Sequence, residues 1–264
     1  MIGALFGDIT GSKYEFNNIR TKSFNLMDDD CFFTDDSVCT CAFMDFLLHS
    51  KEKDEASATK YLHKWTLAYP GRGYGGNFYH WIHSNNPMPY GSFGNGSAMR
   101  VSSVAWAAKD MDELVALTNT ITNITHNHPE GLKGALVTAT CIYMALHNKT
   151  KDEIKEYATK EYPQIASFTY DDLRHNYGFY EICQKSVPEA IFSFLISEDF
   201  YDCAKTTISI GGDCDTTAAI SMAIAEAYYG VPVEAYNFVK SHVSKEMSDL
   251  IEEFETVYGN KRIN

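Results

Sequence analysis

The chain has 264 residues, 45% of them apolar and 22% charged, with a formal net charge of −13. That length suits one large domain or two small ones with a substantial core. The acidic balance argues against a nucleic-acid backbone or an anionic membrane as partner, because both repel a negative surface. Seven cysteines, an odd number, lie scattered in apolar stretches, with a C-x-C at Cys39 and Cys41 and no C-x-x-C. Buried thiols in a reducing cytoplasm are expected from this usage, and zinc is not. The opening "MIGALFGDITG" is too short an apolar run, and lacks the basic flank, for a signal peptide. No run of about 18 apolar residues suggests a membrane span.

In chain order, "GALFGDITGSKYEF" reads as a first helix. Gly3, Gly7 and Gly11 thin one face of it and leave room for another backbone to pass close. Asp8 and Glu15 fall seven residues apart on one helical face; Asp8 is expected to bond nearby backbone groups rather than a metal. Glu15, at the end of the segment, is placed to swing towards a metal or a leaving group. "FFTDDSV" opens a helix over 36–49, whose Val38, Cys41, Ala42, Phe46 and Leu48 form a broad apolar face. Thr34 or Asp35 suits its N-cap, and Asp36 its macrodipole. Helical patterns continue over 54–68, 97–108, 111–123, 130–147, 151–160, 187–196, 199–208, 216–229 and 234–257, and strand-like alternation is nearly absent.

Between these helices lie Gly-, Asn- and Pro-rich loops at 70–78, 85–97 and 125–131, long enough to be read as functional. An all-α bundle with long loops follows. Gly94-Asn95-Gly96-Ser97 precedes a helix, where exposed backbone N–H groups make a phosphate cradle, a pattern that a tight loop would share. In "THNHPEG", a substrate contact for His126 is favoured over metal binding by His126 or His128.

Near the end, "GGDCDTTAAISMAIAEAYYG" sets Asp213 and Asp215 beside Gly211 and Gly212 at the start of an alanine-rich helix. So many small residues let neighbouring helices approach closely, so that helix and its first turn are expected to be buried. Buried carboxylates in pairs call for a counter-charge. Together with Thr34-Asp35-Asp36 they offer the hard oxygen ligands preferred by Mg²⁺ or Mn²⁺. Four carboxylates exceed the needs of one small ion, which points to a two-metal site. "DCDTT" also matches the D-x-D-x-T of haloacid dehalogenase-type phosphatases, but those enzymes carry it early, after a buried strand. Here fewer than 50 residues follow it, and they read as helix.

The ordered motifs G-x-x-x-G-D-x-x-G-x-x-x-E, T-D-D-[ST], G-N-G-S-x-M-R, T-H and G-G-D-x-D-T-x-A-A, spanning residues 2–232, resemble the ADP-ribosylglycohydrolase family. The resemblance implies a compact, orthogonal all-α bundle, with long functional loops around a central cleft holding two Mg²⁺ or Mn²⁺ ions, formed by one domain over 1–264. It implies metal ligation by Thr34, Asp35, Asp36, Asp213, Asp215 and Thr216. It implies phosphate binding by Gly94, Asn95, Gly96, Ser97, Ala98 and Met99, and substrate contact by His126. Glu15 falls where related enzymes carry a gating or catalytic glutamate. Ser37 stands where many members have Thr, and Cys214 fills a variable position. Tyr170, Tyr177 and Phe179 are candidates to stack an adenine, with core packing the expected role for any one of them.

The implied reaction is hydrolysis of the bond between ADP-ribose and an acceptor on a protein or small molecule. Asp35 or Asp36 would be the metal-held acid/base and Glu15 the movable second carboxylate. The alternatives are an inactive ADP-ribose-binding or structural member of the same fold, and a metal-dependent hydrolase of phosphoesters. A cytoplasmic monomer is expected.

Overall fold

The computed structural model describes residues 1–259, and among them the regular structure is helical. An isolated antiparallel bridge joins Gly94 to Ile182. The first helices are α1 (Ile2–Ser12), α2 (Asp35–His49), α3 (Glu55–Ala68) and α4 (Gly76–Ile82). After the 83–95 loop come α5 (Gly96–Met99), α6 (Ser102–Ala107), α7 (Met111–Asn123), α8 (Pro129–Leu146) and α9 (Lys151–Glu161). A 3₁₀ turn, Pro163–Ser167, leads to α10 (Tyr170–Asn176), α11 (Cys183–Ile196), α12 (Phe200–Ile210), α13 (Cys214–Tyr229), α14 (Val233–His242) and α15 (Lys245–Tyr258). Several starts carry a side-chain oxygen that accepts an otherwise orphaned N–H: Asp54, Asp110, Thr150, Thr169, Asp199 and Ser244 all do so.

Small residues set the central contact. A Cβ on Gly3 would lie 2.1 Å from the Met222 carbonyl oxygen, on Gly7 2.2 Å from that of Ala218, and on Gly11 2.4 Å from the Asp215 Cα. The glycine face of α1 therefore lies backbone-on-backbone against α13, as its i, i+4 glycine spacing led us to expect. α13 is buried continuously from Cys214 to Ala227, with α8, α11 and α12 packed around its other sides. Ile2, Leu5, Phe6 and Ile9 are buried on the rest of α1, and Phe6 meets Phe200 at 5.2 Å between ring centroids. Each such side chain contributes about 1.5–3 kcal/mol of transfer free energy. All seven cysteines are buried free thiols.

Several boundaries differ from the periodicity. α1 stops at Ser12, so Glu15 stands in the following turn and does not share a helical face with Asp8. The 97–108 segment breaks at Arg100–Val101, and the buried Arg100 side chain reaches the Ile121 carbonyl and Thr125 hydroxyl at 3.1 and 2.6 Å. The 234–257 segment breaks before Ser244, whose hydroxyl starts α15 by accepting from the Met247 N–H. α11 begins at Cys183, a turn ahead of the expected 187, and runs through Pro188. Proline removes the N–H that would bond the Gln184 carbonyl; the Gln164 side-chain amide reaches that carbonyl instead, at 3.4 Å. α4 and α10 form in segments without a long apolar period.

Candidate metal and substrate cleft

α2 and α13 both begin at the floor of one cleft, and their starts bring four aspartates and two threonines to it. Thr34 is the N-cap of α2, its hydroxyl accepting from the Asp36 N–H at 3.4 Å. Asp213 is the N-cap of α13, but its carboxylate makes no capping bond. It accepts instead from the side-chain amide of Asn95 at 2.6 Å. The Thr216 hydroxyl donates to Asp36 Oδ2 at 3.1 Å and joins the two helix starts directly. The cleft encloses about 460 Å³, within the range of small-molecule sites.

Of the residues singled out in the sequence, Glu15, Thr34, Asp35, Asp36, Gly94, Asn95, Gly96, Met99, His126, Asp213, Asp215 and Thr216 all line this cleft. Ser97 and Ala98 are buried behind its wall, and the Ser97 hydroxyl donates to the Gly131 carbonyl at 2.9 Å. Tyr170 and Tyr177 pack away from the cleft. Tyr170 pairs with the Ser209 hydroxyl, and the buried Tyr177 donates to the Lys185 carbonyl at 2.7 Å. Phe179 is exposed at the rim and stacks on Phe16, with ring centroids 5.8 Å apart. His128 serves as N-cap of α8 through Nδ1.

Asp8 sits beneath this floor. One of its oxygens accepts from the Thr34 hydroxyl at 2.6 Å, the other from the Thr34 and Ser37 N–H groups at 3.0 and 3.1 Å, and the Ser37 hydroxyl donates to it as well. Asp8 thus aims the first turn of α2 through backbone and hydroxyl bonds, as expected of it.

The electrostatics call for a cation. Oxygens of Asp8, Asp36 and Asp215 lie within 4.8 Å of one another, and so do those of Glu15, Asp213 and Asp215. None of the ion pairs among the described residues involves these carboxylates or Asp35. Asp36 Oδ1 is buried with no hydrogen-bond partner, an arrangement that is costly unless something binds it. Burial, reinforced by the neighbouring carboxylates, holds the pKa values of Asp36 and Asp215 well above the ordinary range. Asp35 is pushed up to about 8 by burial, then by Asp8 and Asp213. Glu15 is pushed up to about 7 by burial, then by Asp213 and Asp8. Close-set carboxylates with an unpartnered oxygen and flanking threonine hydroxyls are a donor set that fits hard divalent ions.

The sequence assigned no role to Arg72, Arg100 or Thr125. Arg72, from the glycine-rich 70–78 loop, accepts the Asp35 N–H on its carbonyl at 2.8 Å, and its guanidinium lies 3.7 Å from the centre of the Phe33 ring. Thr125 links Arg100 to His126. Arg100 can only donate, so the Thr125 hydroxyl accepts from it at 2.6 Å; that hydroxyl also pairs with His126 Nδ1 at 2.7 Å, to which its own proton can go. With that proton given to Nδ1, His126 would carry its own on Nε2, which lies beside Gly94 and Gly96. Burial, and then the Arg100 charge, push the His126 pKa well down and keep the ring neutral.

The sequence profile of the ADP-ribosylglycohydrolase family matches residues 1–258. The human protein named ADP-ribosylhydrolase ARH3 (Homo sapiens) is 25% identical over 329 residues, covering 95% of this chain and 90% of that protein. The ADP-ribosyl-[dinitrogen reductase] glycohydrolase of Rhodospirillum rubrum is 26% identical over 149 residues, 55% of this chain and 49% of that protein. A solved structure titled "ADP-ribosylglycohydrolase-related protein complex" has the same fold, with a TM-score of 0.72 over 97% of both chains at 20% identity.

Proposed function

This chain belongs to the ADP-ribosylglycohydrolase family, and from that premise we propose that it hydrolyses the glycosidic bond between ADP-ribose and an acceptor carried by a protein or small molecule, with divalent metal ions as cofactors. The observation that carries this reading is the meeting of two acidic helix starts through Thr216 and Asp36, with an unpartnered buried oxygen on Asp36. Thr34, Asp35, Asp36, Asp213, Asp215 and Thr216 would hold two ions, Mg²⁺ or Mn²⁺. When bound, such ions grip vicinal ribose hydroxyls and lower the pKa of water.

The chain's own residues would do the rest. The Gly94–Met99 loop lies on one wall, and the neutral His126, with its proton on Nε2, would donate to a phosphate or ribose oxygen held there. Asn95 would keep Asp213 oriented through its 2.6 Å bond. Breaking a ribosyl bond passes through an oxocarbenium-like transition state and calls for one carboxyl group to give a proton to the departing acceptor and another to take one from water. Asp35 or Asp36 fits one of these tasks. Glu15 fits the other, because it lines the cleft and belongs to neither helix start.

The test is turnover of ADP-ribosyl-arginine, ADP-ribosyl-serine and a generic phosphoester, each with Mg²⁺, with Mn²⁺ and with chelator. Metal-dependent release of ADP-ribose from either of the first two supports the proposal. Binding of ADP-ribose without turnover would replace it with a reader, and phosphoester cleavage alone with a different hydrolase.

A further inference from the structure

We propose that Asn18 is a positioning residue, a clasp that fastens the Glu15-bearing turn to the Gly211–Asp213 turn and so fixes the Glu15 carboxylate relative to Asp213. The inference rests on the reading above that Glu15 acts on the bound substrate. Glu15 follows the end of α1 and has no helix of its own to hold it. Asn18 supplies that hold from its side chain. Its Nδ2 group donates to the carbonyls of Tyr14 at 2.8 Å, Glu15 at 2.9 Å and Gly212 at 2.9 Å. Its Oδ1 accepts from the Gly212 N–H at 2.8 Å. One amide thus engages both backbone polar groups of Gly212 and, in the other direction, the carbonyl of Glu15 itself.

The receiving turn is built for this contact. Gly211 and Gly212 have φ of +74° and +76°, which side-chain-bearing residues rarely adopt. A Cβ on Gly212 would lie 2.5 Å from the Tyr177 ring and 2.6 Å from the Gly178 carbonyl oxygen. Arg20 braces the same place, donating to the carbonyls of Ile210, Arg174 and Tyr177. Gly212 immediately precedes Asp213, so the clasp ties the turn carrying Glu15 to the turn carrying a proposed metal ligand. A neutral amide is the chemistry this place requires. A carboxylate of the same shape would keep the acceptor but lose the two N–H donors shared among the three carbonyls.

A double-mutant cycle with hydrogen exchange tests the clasp. Asn18→Ala should lower kcat on an ADP-ribosylated peptide by about 10²-fold, the scale of an ångström-sized misplacement, with KM little changed. In a Glu15→Gln background the same change should have little further effect; losses that multiply independently would overturn the proposal. Backbone amides of residues 13–20 should exchange about tenfold faster in Asn18→Ala, with α2 and α13 unaffected; parental exchange would overturn it whatever the activity. Should Asn18→Ala not fold, Asn18→Asp gives the same two readouts. A parent inactive on every ADP-ribosylated substrate would refute the proposed function, while the exchange measurement alone would still decide the clasp.

Discussion

The Thr216 hydroxyl reaches Asp36 Oδ2 at 3.1 Å across 180 residues of chain, and it joins the first turn of α13 to the first turn of α2. The acidic cleft is therefore assembled by tertiary packing, and its two halves meet only in the folded chain. If a divalent ion occupies it, binding must stabilise the fold by mass action, by about 2.7 kcal/mol at a free concentration 100 times Kd. Calorimetry of metal-stripped protein should show Mg²⁺ or Mn²⁺ binding with a raised Tm. Asp36→Ala and Asp213→Ala should each abolish most of it. Unchanged metal content in both variants would remove the assignment.

Glu15 should matter to turnover more than to holding ions. Glu15→Gln keeps shape and hydrogen-bonding capacity but removes the titrating carboxyl group. A fall in kcat of about 10²–10⁴-fold is expected, the range for one acid/base group, with metal occupancy and ADP-ribose affinity far less affected. Near-parental kcat on a confirmed substrate would leave Asp35 and Asp36 to carry the proton transfers.

The Arg100–Thr125–His126 chain predicts a neutral His126 with its proton on Nε2. Nitrogen NMR of the imidazole should show that tautomer throughout the neutral range, and Thr125→Val should mix the tautomers. The folded pKa is lowered, so His126 favours folding fully above the unfolded value of about 6.5. That advantage is lost as pH falls below it towards the folded pKa. An imidazolium signal at neutral pH would break the argument.

Glu189 offers the opposite sign. It is buried in α11 with Oε2 unpartnered, and burial pushes its pKa up to about 8. The folded chain thus holds a proton that the unfolded chain releases near pH 4.5. Stability from this group is complete below that value and falls as pH rises towards about 8. Glu189→Gln should therefore raise Tm at pH 8 and have little effect at pH 4. An equal shift at both pH values would count against it.

The contact between α1 and α13 is tested by paired glycine substitutions. Gly7→Ala drives a methyl group to 2.2 Å from the Ala218 carbonyl oxygen and should destabilise by at least about 1–3 kcal/mol, the range for overpacking. Gly76, inside α4, has nothing within 4 Å of its would-be Cβ. Gly76→Ala should leave Tm unchanged or raise it. Equal effects at the two sites would mean the helices can separate freely.

What could be read from the sequence was what local chemistry encodes. The glycine repeat of α1, the alanines of α13 and the Thr34 cap each act over a turn or two, and each behaves as its pattern implied. Asp8 was expected to bond backbone, but which backbone was not legible, because its partners Thr34 and Ser37 lie at the start of α2, 26 and 29 positions on. Nor was the place of Glu15, because "GSKYEF" carries no proline or other firm stop to show that α1 ends at Ser12. Arg72 and Asn18 escaped notice, and Arg100 was seen only as the end of a motif, because each works through groups far off in the chain. No spacing rule links Asn18 to Gly212, 194 positions away.

The backbone contact of α1 with α13 also acts as a ruler. Helices that meet through side chains stand 8–10 Å apart, and that gap can breathe as rotamers change. Here no side chain on the glycine face of α1 intervenes, so the gap has little that can expand on warming or shrink with a substitution elsewhere. The acidic turn of α13 starts on that rail, at Gly11, and the turn of α2 hangs from Asp8 on the same helix. The spacing of the two acidic turns thus rests on one helix, through backbone contact on one side and the Asp8 carboxylate on the other. Loop residues that do not touch either turn can change without altering the spacing beneath them.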